Sequence, residues 1–91
     1  MNAPVNQTAE VLFEILNNDS VSRKDILIST GVLNPTARIA DLRIRYGVVI
    51  TCENIKVRNK FSRLVKFGMW SIQGKENIEK AHDVYNQINT N

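Results

Sequence analysis

Apolar residues recur at helical spacing in the first half of the chain, alternate in the middle, and return to helical spacing at the end. From Asn6 or Thr8 to about Asn17, the residues Ala9, Leu12, Phe13, Ile15 and Leu16 recur near the helical interval, with Glu10 and Glu14 on the other side. This predicts a first helix, preceded by a flexible arm at residues 1–5. Asn17, Asn18 and Asp19 form a polar turn. Ser22 then stands three residues before Asp25, close to a capping box, so a second helix is expected from Arg23 to Thr30. Ile26, Leu27 and Ile28 would supply its buried side, and Gly31 is placed to end it in a left-handed conformation. Asn34 followed by Pro35 is a second start signal, because proline at the first helical position gives up an N–H that has no partner there anyway. A third helix should run to Tyr46 and stop at Gly47. Two short helices joined by a few residues containing glycine describe a helix-turn-helix.

Past Gly47 the pattern changes to alternation. VVITCENIKV is rich in β-branched residues and predicts a strand, LVKFGMWSI predicts a second, and RNKFSR between them is a basic loop of hairpin character without an Asn-Gly turn. After Gly74, Ile78, Ala81, His82, Tyr85 and Ile88 fall on one side of a further helix. The expected organisation is an arm at 1–5, a DNA-binding-type domain at 6–73, and a C-terminal helix at 74–91.

A chain of 91 residues with 43% hydrophobic and 23% charged residues fits one small folded domain. A lone Cys52 rules out an internal disulfide and a cysteine-rich zinc site. The opening residues lack a secretory pattern, and no run approaches the ~18 apolar residues of a membrane span, so a soluble protein of the cytoplasm is expected, with no membrane partner.

Charge changes the picture further. Residues 34–68 carry eight cations against Asp41 and Glu53, a net of +6, while the rest of the chain nets −3. Such segregation sets up a local field that attracts polyanions. On a helical wheel begun at Pro35, Ile39, Leu42 and Tyr46 lie within about 80° of one another and should face the core. Thr36, Ala37, Ala40, Asp41, Ile44 and Arg45 form the opposite side, flanked by Arg38 and Arg43. Small central residues between long cations suit a helix entering a groove about 12 Å wide. The plain alternative is a solvated face with Arg38 or Arg45 paired to Asp41, each pair worth a few tenths of a kcal/mol.

The acid-free cluster Lys56, Arg58, Lys60, Arg63 and Lys66 tips the balance. Mutual repulsion disfavours it on an isolated surface and a phosphate backbone favours it, although a charged hairpin tip also protects sheet edges. The start of the second helix, with N–H groups at Ser22, Arg23 and Lys24, could hold a phosphate, or could simply be capped by Asp25. Phe61 is read as a plug against the hairpin base in preference to an exposed tip. Trp70 and Met69 are read as core, His82 as packing, and Cys52 as a buried small hydrophobe. No arrangement of catalytic or metal-ligating residues is present in the sequence, so neither an enzyme nor a cofactor is expected.

The stretch TARIADLRIRYGVVI resembles the A-R-I-x-D-L-R-x-x-G-x-x-I segment of small winged helix-turn-helix domains common in bacteriophages and other mobile elements. Ala37, Arg38, Ile39, Asp41, Leu42, Arg43, Gly47 and Ile50 occupy those places, and Tyr46 stands where the family usually has a basic residue. The resemblance covers about residues 9–72. It implies an α+β winged helix-turn-helix, three helices plus a β-hairpin wing with an additional C-terminal helix, whose third helix is the recognition helix. The expected partner is double-stranded DNA, bound by a phage-type transcription regulator or by the origin-binding portion of a replication initiator. Thr36, Arg43 and Arg45 are the candidates for base-edge or groove contacts. Arg38, Lys56, Arg58, Lys60, Arg63 and Lys66 are the candidates for phosphates. Ser22, Arg23, Lys24 and the helix-capping Asn34 complete the set. Ile78, Ala81, Tyr85 and Ile88 would either pack on the first helix or form a homodimer across a two-fold axis. The competing function is a protein-docking module using the last helix.

Overall fold

The computed structural model describes residues 1–90, and Asn91, assigned above to the final helix, lies outside the described residues. The chain is α+β, with four helices and a three-stranded antiparallel sheet. In order these are α1 (Gln7–Leu16), β1 (Val21–Ser22), α2 (Arg23–Thr30), α3 (Pro35–Ile44), β2 (Thr51–Arg58), β3 (Leu64–Ser71) and α4 (Lys75–Thr90). Among the described residues no helix is long and apolar enough to cross a membrane.

Each helix in the first half starts on a side-chain cap. Asn6 Oδ1 accepts the Ala9 N–H at 2.9 Å, and Asn34 Oδ1 accepts that of Ala37 at 3.4 Å ahead of Pro35. At α2 the capping box is reciprocal: Ser22 Oγ accepts the Asp25 N–H at 3.1 Å, and the Asp25 carboxylate accepts the Ser22 N–H at 2.9 Å. Such caps satisfy N–H groups that a helix cannot satisfy internally. Gly31 closes α2 at φ 76°. Regular α3 stops at Ile44, earlier than the expected Tyr46, because the chain turns through Arg45 and Tyr46 to Gly47 at φ 67°. The Val48 N–H then returns to the Leu42 carbonyl at 2.9 Å.

The two residues of β1 carry no periodic signal and were not foreseen in the sequence. They pair Val21 with Trp70 and Ser22 with Met69, giving the sheet order β1-β3-β2. The hairpin runs in unbroken register from Thr51↔Ser71 to Arg58↔Leu64. Its first strand begins later than the alternation suggested, since Val48 and Ile50 precede β2 and are buried in the core. From Cys52 onward every residue of β2 is exposed, so the hairpin leaves the body of the molecule, whose extents are 47 × 27 × 22 Å.

α1 packs on α2, α3 and α4 together, which buries Val11 as well as the expected Ala9, Leu12 and Ile15. In α2 only Ile26 is buried; Leu27 and Ile28 are exposed. Three consecutive helical residues span about 200° and cannot all reach one narrow core. The last helix lies on α1, with Ala81 and Tyr85 fully buried and the Tyr85 ring 6.0 Å from that of Phe13. Of the stripe considered for a two-fold interface, Ala81, Tyr85 and Ile88 are therefore inside this protomer, and Ile78 alone keeps substantial exposure, 38%. The N-terminal arm, expected to be free, is held on α4: Tyr85 donates to the Asn2 carbonyl, and the Val5 N–H donates to Asn89 Oδ1 at 3.2 Å. Cys52 is exposed and not buried, because it sits where the hairpin departs. Trp70 and Met69 are half-buried, with Trp70 packed against the edge of the core.

Candidate nucleic-acid interface

α3 turns Pro35, Ile39 and Leu42 inward, which fixes its outer face. Thr36, Ala40, Arg43, Ile44 and Arg45 are exposed there, Ile44 to 86%, while Ala37, Arg38 and Asp41 are half-buried. The arginines are not equivalent. Arg38 lies 3.3 Å from Asp41, the one ion pair among the described residues, and its Nε is buried without a hydrogen-bond partner. Being partly exposed, that pair contributes little stability. Arg43 donates from one terminal nitrogen to the Ile50 carbonyl at 2.7 Å, tying α3 to the segment before β2. A guanidinium carries five N–H donors, so this bond fixes the side chain without exhausting it. Arg45 stands with its guanidinium carbon 5.9 Å from the Tyr46 ring centroid, within cation–π range.

The start of α2 is less open than the sequence implied. Ser22 is buried, its N–H is taken by Asp25, and its hydroxyl caps the helix, so it offers no free donor. Arg23 and Lys24 are exposed. Asn34 is exposed, and its side-chain oxygen is engaged in capping α3.

The hairpin gathers the remaining candidates. Side chains alternate between its faces, so residues paired across the strands share a face. One face presents Lys56 opposite Lys66 and Arg58 opposite Leu64; the other presents Ile55 opposite Phe67 and Val57 opposite Val65. Lys56, Arg58, Lys60, Arg63 and Lys66 are all exposed. Like charges directly across a strand pair repel. At the turn, Asn59 Oδ1 accepts the N–H groups of Phe61 at 2.9 Å and Arg63 at 3.1 Å, and Arg58 donates to the Ser62 carbonyl at 2.7 Å. Ser62 adopts a left-handed φ of 63°. Phe61 does not plug the hairpin base: it is 78% exposed at the apex, with Lys60 Nζ 5.1 Å from its ring centroid. The turn is too far from the core for its side chain to find apolar cover.

A groove of about 850 Å3 runs between α2 and the apolar side of the hairpin, lined by Arg23, Lys24, Leu27, Leu33, Ile55, Phe67 and Met69 among others. Leu33, 79% exposed in the α2–α3 turn, is its most open member. Sequence reasoning passed over these apolar residues; the available signal was the Ile26-Leu27-Ile28 run, too wide for one buried stripe. Among the described residues no three His, Cys, Asp or Glu side chains gather as a metal site. No protein-family model matches the chain, and no curated protein matches it.

Proposed function

We propose that this chain is a winged helix-turn-helix that binds double-stranded DNA, with α2 and α3 as the helix-turn-helix, α3 in the major groove and the β2–β3 hairpin as the wing along the backbone or the adjacent minor groove. The observation that carries the reading is the hairpin itself: five exposed cations, no acid beyond Glu53 at its base, and Lys56 set directly against Lys66. That arrangement costs stability in isolation and becomes favourable beside phosphates, where neutralisation releases counterions. The order of elements and the sheet order β1-β3-β2 are compatible with the fold. The resemblance of TARIADLRIRYGVVI to phage and mobile-element domains supports a role as transcription regulator or origin-binding part of a replication initiator, acting in the cytoplasm of a bacterial cell.

The test is salt dependence on duplex selected from random DNA. Affinity should fall by about 10³ or more between roughly 50 and 200 mM salt, and changing Arg58, Lys60 and Arg63 together to alanine should flatten the log–log slope by about 2 to 3. An unchanged affinity and slope in the triple variant removes the wing assignment.

A second reading, a protein-docking module, draws on the apolar groove beside α2. The stripe on α4 no longer supports it, being largely buried on α1. Protein docking in that groove would be weakened by Leu33→Asp and would be nearly indifferent to salt, which separates it from the first reading.

A further inference from the structure

The hairpin tip is built as a stiff cationic mount for one aromatic ring. Phe61 is 78% exposed at the apex, and no core residue packs on it. The loop beneath it is held by its own bonds: Asn59 and Arg63 share a backbone bond of 2.9 Å, the Ser62 N–H returns to the Asn59 carbonyl at 2.9 Å, and Asn59 Oδ1 accepts from both Phe61 and Arg63. Arg58 adds a bond from its guanidinium to the Ser62 carbonyl, so a cation braces the turn without losing its charge. Five residues with this many internal bonds lose little freedom on docking. On either side of the ring stand Lys60 and Arg63, both exposed and neither in an ion pair among the described residues.

Resting on the DNA-binding reading, we infer that Phe61 is an apolar wedge that enters the minor groove and opens a base step, while Lys60 and Arg63 take the phosphates on either side. The chemistry fits at each point. The ring gains apolar surroundings between bases, the flanking cations meet the negative potential of a narrow groove, and the bend that follows brings more of the duplex against the protein. A single side chain is what one base step admits. Anionic lipid is the other surface that an aromatic ring among cations would meet, but one ring offers little hydrocarbon to a bilayer, where stable association draws on a wide apolar face.

The experiment uses the full chain and a duplex it selects from random sequence, carrying end dyes to report bending and 2-aminopurine at successive steps to report unstacking. The intact protein should bend the duplex and brighten 2-aminopurine at one step. Phe61→Ala should bind about tenfold more weakly, the loss expected for one base–aromatic stack, with an unchanged salt slope because no phosphate contact is lost. Bending and unstacking should vanish with it, and Phe61→Trp should restore both. Circular dichroism checks that the variants fold, which the exposure of the site favours. If Phe61→Ala binds, bends and unstacks as before, the wedge is wrong and DNA binding stands. If the intact chain shows no salt-dependent duplex binding, both readings fall. If instead it binds phosphatidylserine vesicles and Phe61→Ala abolishes that, the tip belongs to lipid and the wedge is overturned.

Discussion

Ser22 is the last residue of β1 and the N-cap of α2, so one side chain joins sheet to helix. Its hydroxyl satisfies the Asp25 N–H and its own N–H is satisfied in return. Ser22→Ala should lower unfolding free energy by about 1 kcal/mol, the usual worth of an N-cap, read as a shifted urea midpoint at constant slope. Gly47 is a second such point. At φ 67°, with Lys80 Nζ 3.1 Å from where a Cβ would stand, Gly47→Ala meets both backbone strain and a neighbour that must move. It should destabilise by about 1 to 2 kcal/mol in the same assay, and no loss would mean the backbone there relaxes freely. Both roles were legible because they are local: a cap and a left-handed stop are written within a few residues. Phe61 and Cys52 were misjudged for the opposite reason. Their burial depends on where the hairpin parts from the core, which no short window of sequence contains.

The hairpin shows what periodicity does and does not reveal. Alternation predicted two strands and two faces, and the register bears that out from Thr51↔Ser71 to Arg58↔Leu64. It did not reveal that the apolar face, with Ile55 and Phe67, would look onto an open groove beside α2. A period of two assigns sides and leaves unnamed whatever lies across from them. The same geometry yields a test in which stability and proposed function move in opposite directions. Lys66→Glu replaces a repulsive cross-strand pair with an attractive one and should stabilise the fold by up to about 1 kcal/mol. It should also weaken duplex binding and reduce the salt slope by about 2, one lost cation and one added repulsion, under the counterion-release relation. A variant both more stable and weaker on DNA means that Lys66 is kept for the ligand. A variant less stable than the parent would show that the cross-strand pair is not repulsive in the folded protein.

At the scale of the molecule, the last helix changes from an appendage into part of the core. The sequence reading treated three helices and a hairpin as complete, because each element taken alone had a plausible apolar face. The structure puts α1 at the centre, packed on α2, α3 and α4, and no helical wheel drawn for one segment shows how many neighbours that segment will have. Tyr85 makes the point: fully buried, tilted against Phe13, and donating to the Asn2 carbonyl, it joins both ends of the chain to α1. Tyr85→Ala should therefore cost about 3 to 5 kcal/mol, as large aromatic truncations in a core do. That is a large share of the stability of so small a domain. A chain cut after Gly74 removes the whole cover of α1 on that side and should lose its cooperative urea transition. The intact protein should sediment as a monomer at micromolar concentration, since the stripe that could have paired across a two-fold axis is already occupied. A cut chain that still melts cooperatively would return α4 to the status of an addition, and a dimer of the intact chain unaffected by Ile78→Asp would place any self-association on the groove beside α2 or elsewhere, away from this helix.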